Sequence, residues 1–80
     1  MTLEQIEQKV NSFLIDELEI EEEKITGGAR LKEDLGVDSL EVVDVVVYIE
    51  ENFGFKMKPE DFKVVKTVDE LYSFIAEKIG

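Results

Sequence analysis

The sequence predicts an all-α fold: a small four-helix bundle of three main helices plus one short helix, with a long loop between helices one and two. Three observations predict it. Apolar residues recur at helical spacing in three separated stretches. Capping signatures stand at the head of two of them. Only one proline and five glycines interrupt 80 residues, which suits one bundle domain spanning 1–80.

Helix one is expected from Leu3 to Leu18. Thr2 and Gln5 form a capping box, and Leu3, Ile6, Val10, Phe13, Leu14 and Leu18 give the buried stripe. Residues 19–38 form the long connection, with Glu21, Glu22 and Glu23 as solvated charge and Gly27–Gly28 as a breaker pair. A loop this long in a small domain is functional or anchored; Ile20, Ile25, Leu31, Leu35 and Val37 are the expected anchors.

Helix two sets propensity against periodicity. Val42 to Ile49 is rich in β-branched residues, which favour strands. Yet Val42, Val46, Ile49 and Phe53 share one helical stripe, and Leu40, Val43 and Val47 share the next. Glu41, Asp44, Tyr48 and Glu51 fill the polar remainder. A strand would bury Asp44 or expose valines without pattern, so the helix is preferred. Gly54 ends it. Pro59 opens a short third helix through Val65. Thr67 with Glu70 caps the last helix, whose expected buried face is Val68, Leu71, Phe74, Ile75 and Ile79.

Composition narrows the function. Nine basic residues face 20 acidic ones, for a net charge of −11. That surface repels nucleic acid and anionic lipid and attracts basic partners. The charge is uneven: residues 1–55 hold 15 acids and 4 bases, while 56–80 hold 5 of each. With no histidine and no cysteine, Ser–His and thiol catalysis are excluded. No pocket-forming context supports Glu33 and Asp34 as an acid–base pair, so no catalytic residues are expected. No calcium loop or metal-ligand pattern occurs, and no metal is expected. No apolar run suits a membrane span, and residues 1–4 do not read as a secretion signal, so a cytoplasmic location is expected; a monomer is expected as well.

A serine with no base of its own stands at the mouth of helix two, in Leu35-Gly36-Val37-Asp38-Ser39-Leu40. That signature, the acidic second helix ending Glu50-Glu51-Asn52-Phe53, and Thr67-Val68-Asp69-Glu70-Leu71 at the last helix resemble the acyl carrier protein family across nearly the whole chain. The resemblance implies a carrier, not an enzyme. Ser39 would receive 4′-phosphopantetheine from coenzyme A through a holo-synthase, and the thiol of that arm would bear acyl intermediates of fatty-acid, lipid or polyketide-type biosynthesis. It implies a partner-facing set of Asp38, Leu40, Glu41, Asp44, Val47, Glu50 and Glu51, contacted by acyl-processing enzymes with basic docking patches. It also implies acyl-pocket positions at Val43, Ile49, Phe53, Met57, Phe62, Val65, Leu71 and Ile75, with Val43 toward the interior. A phosphodiester on Ser39 is expected to be stabilised by the amides of the helix N-terminus.

Two departures stand out. Phe62 is large where many fatty-acid carriers have a small residue. Lys56, Lys58, Lys63 and Lys66 make the short helix basic where the family is usually acidic, which points to a specialised member. An aminoacyl or peptidyl carrier stays open, as does an acidic protein-binding adaptor in which Ser39 merely caps helix two.

Overall fold

The computed structural model describes residues 2–79. Helix α1 spans Leu3–Asp16, α2 spans Ser39–Phe53 and α3 spans Val68–Ile79. Short 3₁₀ segments lie at Glu22–Lys24 and Pro59–Lys63. The expected bundle of three main helices and one short one is present, the short helix being a 3₁₀ helix that opens on Pro59.

Helix α1 begins as its sequence requires. The Thr2 hydroxyl accepts from the Gln5 amide at 3.2 Å, and the Gln5 side chain accepts from the Thr2 amide at 2.9 Å. It stops two residues short of Leu18, because Glu19 takes a left-handed φ of 54°. Leu18 still packs against the core from beyond the helix end.

The valine-rich segment is helical, and its phase shows why. Val45, Val46, Ile49 and Phe53 are buried along one stripe, so tertiary packing overrides strand propensity. Val45 joins this stripe in place of Val42, which is only partly buried. Tyr48, expected on the polar side, is half-buried: its ring stacks on Phe13 with centroids 4.3 Å apart, and its hydroxyl donates to the Lys9 carbonyl at 2.8 Å. Gly54 closes the helix at φ 78°, a conformation that costs other residues about 1–2 kcal/mol.

Thr67 and Glu70 cap α3 reciprocally, at 3.1 and 3.2 Å. Its buried residues are Val68, Leu71, Tyr72 and Ile75, while Phe74 and Ile79 are only partly covered. The Tyr72 hydroxyl donates to the Asn11 side chain on α1. Tyrosines on α2 and α3 therefore both grip α1.

The long loop is anchored by apolar residues, as expected: Ile20, Leu31, Leu35 and Val37 are buried and Ile25 partly so, with Ala29 joining them. It is also tied by its backbone. The Leu31 amide donates to the Lys66 carbonyl at 2.8 Å, and the Val68 and Asp69 amides donate to the Ala29 and Gly27 carbonyls at 3.0 Å each. The antiparallel bridge Arg30–Thr67 sits among these bonds. The loop ahead of α2 is thus fastened to the start of α3.

Candidate functional site

The approach to α2 is fixed residue by residue. The Val37 amide donates to the Leu31 carbonyl at 2.9 Å, and the Leu35 amide to the Arg30 carbonyl at 3.1 Å. Between them Gly36 turns at φ 73°, with open space where a Cβ would stand. Its demand for glycine is therefore conformational. The Asp34 carboxylate takes the Arg30 amide at 2.8 Å and the Arg30 Nε at 3.2 Å. Hydrogen bonds from the Arg30 backbone and then its guanidinium hold this carboxyl below the usual aspartate range.

Asp38 is the N-cap of α2. Its Oδ1 accepts from the Leu40 amide at 3.0 Å and the Glu41 amide at 2.9 Å, while Glu41 Oε1 accepts from the Asp38 amide at 3.3 Å. The Val42 amide is taken by the Asp38 carbonyl at 2.9 Å. This corrects one expectation: the amides expected to stabilise a phosphodiester are already satisfied, leaving, among the described residues, only that of Ser39 itself at the head of the helix. The cap is Asp38, so the alternative in which Ser39 merely caps helix two loses its basis.

Ser39 occupies the first helical position with its side chain exposed. Around it the apolar stripe faces solvent: Leu40 is 79% exposed, Val43 48% and Val47 46%. Val43 was expected toward the interior and instead lies outward, because the core stripe runs through Val45, Val46 and Ile49. Asp44, Glu50 and Glu51 are exposed and join no ion pair among the described residues. Glu41 is half-buried and committed to the cap.

The remaining pocket candidates lie in the core. Ile49, Phe53, Met57, Val65, Leu71 and Ile75 are buried in one continuous cluster, and Phe62 packs partly against it. None of them, nor Val43, lines the open groove of about 530 Å³ between α1 and α2. That groove and the tyrosine anchors were missed at the sequence level. The helical phase of Val68, Leu71, Tyr72 and Ile75 carried the signal for Tyr72.

A helical bundle that displays one accessible hydroxyl at the head of an acidic helix, with no histidine or cysteine to activate it, has the form of a carrier. Comparison with known proteins gives the family. Residues 8–75 match the phosphopantetheine attachment site family. An acyl carrier protein of Thermotoga maritima is 39% identical over 96% of this chain and 95% of its own length. That of Akkermansia muciniphila is 38% identical over 94% of each, and that of Petrotoga mobilis 33% identical over 100% of this chain and 94% of its own. The chain belongs to the acyl carrier protein family.

It is therefore a carrier and not an enzyme, and membership implies a covalent 4′-phosphopantetheine. The residues present fit such a group: an exposed serine supplies an oxygen for a phosphodiester, and the chain has no thiol of its own.

Proposed function

We propose that Ser39 is the attachment point of 4′-phosphopantetheine, and that the protein carries acyl intermediates of fatty-acid, lipid or polyketide-type biosynthesis between enzymes in the cytoplasm. The observation that carries this reading is the exposed Ser39 beside the Asp38 cap. In arm loading by a holo-synthase, the Ser39 oxygen bonds to the β-phosphorus of coenzyme A. The bond to the departing adenosine bisphosphate breaks, and the serine proton passes to the synthase. The arm supplies the thiol on which acyl groups ride as thioesters.

The chain's own residues do the rest. Asp38 holds the first turn of α2 and so sets the direction of Ser39. Leu40 and Val47 offer apolar contact to a partner, with Asp44, Glu50 and Glu51 as charges for basic docking patches. Exposed charge pairs are individually weak, which suits rapid release. Because Asp38 occupies the helix amides, the phosphodiester is not clasped and the arm is free to swing. Ile49, Phe53, Met57, Phe62, Val65, Leu71 and Ile75 would shelter an acyl chain only if the core parts to admit it. Val43, being exposed, would meet the chain at the surface.

The test is intact mass after incubation with coenzyme A and a holo-synthase. One phosphopantetheine gained by the wild type and none by Ser39→Ala is expected. An unmodified wild type, still folded, would sink the reading and favour the adaptor.

We further propose a specialised pathway. Lys56, Lys58, Lys63 and Lys66 are all exposed, as is Val64 at 69%, and among the described residues the only ion pair these lysines make is Lys58–Glu60 at 4.0 Å. A partner shaped for this face presents acids there, unlike one shaped for an all-acidic carrier. Poor use of the loaded protein by a general ketosynthase and malonyl transferase is expected; full activity with both counts against specialisation.

A further inference from the structure

We infer that the docking face does not end at α2 but crosses the groove onto the end of α1, where it takes a basic amphipathic segment of a partner protein. The inference rests on the carrier reading only in making that partner an acyl-processing enzyme.

Two helices build the groove. Its lining is apolar at Leu18, Val47 and the stacked Phe13 and Tyr48, polar at Ser12, and acidic at Asp16 and Glu17 from the end of α1 and at Asp44 and Glu51 from α2. None of the four carboxylates pairs with a cation among the described residues.

The placement of these acids is unfavourable to the fold. Asp16 is the last residue of α1 and Glu17 its C-cap, with no basic residue in that last turn. The helix dipole is negative there, so two carboxylates at that end repel it. An incoming cation relieves this repulsion and gains the apolar lining as well. Arginine beside an apolar side chain meets both demands. A single metal ion does not, because the acids are strung along the groove and no metal-holding group of three forms among the described residues. A second copy of the chain, at −11, is repelled.

The experiment titrates the isotope-labelled full chain, before and after arm loading, with a synthetic amphipathic arginine–leucine peptide at low salt. The largest NMR shifts are expected at Asp16, Glu17, Leu18, Val47 and Tyr48. The double variant Asp16→Asn, Glu17→Gln is expected to bind about threefold more weakly, the scale of two exposed charge pairs, while Glu22→Gln, Glu23→Gln changes affinity by less than about 1.5-fold. The first variant is also expected to melt no lower than the wild type, which separates lost contact from lost fold. Equal weakening by both pairs, or shifts that spare Asp16 to Leu18, overturns the inference. Arm loading at Ser39, read by mass on the same samples, reports separately on the carrier reading.

Discussion

At Asp38 a single carboxylate oxygen receives two backbone amides, and the neighbouring Ser39 is left with its side chain in solvent. Stability and presentation therefore rest on adjacent residues and can be separated. Asp38→Ala removes the cap and is expected to cost about 0.5–2 kcal/mol in chemical denaturation, whereas Asp38→Asn keeps a good N-cap and costs only about a few tenths. If the charge itself serves the holo-synthase, the Asn variant loads slowly while remaining stable; equal loading by Asn and wild type assigns Asp38 to capping alone. Gly36 is the other single-residue constraint. Gly36→Ala is expected to lose about 1–2 kcal/mol, since the 73° φ rather than crowding demands glycine; an unchanged unfolding midpoint would show that the turn relaxes. Asp38 and Gly36 stood out in the sequence as members of the signature around Ser39, but the left-handed turn at Gly36 was not read from it. Which of Asp38 and Ser39 takes the cap was not legible there, because either residue type suits the position.

Among the elements, α1 is held from two sides by phenols. Tyr48 donates to the Lys9 carbonyl and Tyr72 to Asn11, and burial raises both hydroxyls above the ordinary value of 10.0. A raised pKa means the folded state keeps its proton longer than the unfolded chain. The stabilisation is whole below pH 10.0 and is lost as pH rises through the higher folded values. Thermal melts of Tyr48→Phe and Tyr72→Phe are expected to show losses of about 0.5–1.5 kcal/mol each near neutrality that shrink in strong alkali. Losses constant with pH would contradict this. The sequence hid the role of Tyr48 because a phenol reads as polar by composition, while its ring fits an aromatic stack. The helices themselves were readable from period and caps. The early end of α1 was not, since nothing in Glu19 announces a left-handed backbone.

For the molecule as a whole, charge opposes compactness. The acids lie mostly in residues 1–55, and among the described residues ion pairs form only around Arg30 and at Lys58–Glu60. Screening length falls from about 30 Å at 0.01 M salt to about 3 Å at 1 M, so the melting temperature is expected to climb with sodium chloride across that range. A flat response would mean that the surface charges are already spaced beyond mutual reach. The bundle and the exposed serine were legible because period, caps and the Gly36-to-Leu40 signature are local. The groove between α1 and α2 was not, because it arises only when distant helices meet.

The ties between the long loop and the start of α3 have a temporal consequence. Leu31 finds its backbone partner at Lys66, so a chain emerging from the ribosome holds its serine for a long stretch before the clasp that orients it exists. Modification should then follow synthesis rather than accompany it: a fragment ending before Lys66 is expected to be a far poorer substrate for arm loading than the finished chain, and equal labelling of the two would show that the clasp is dispensable.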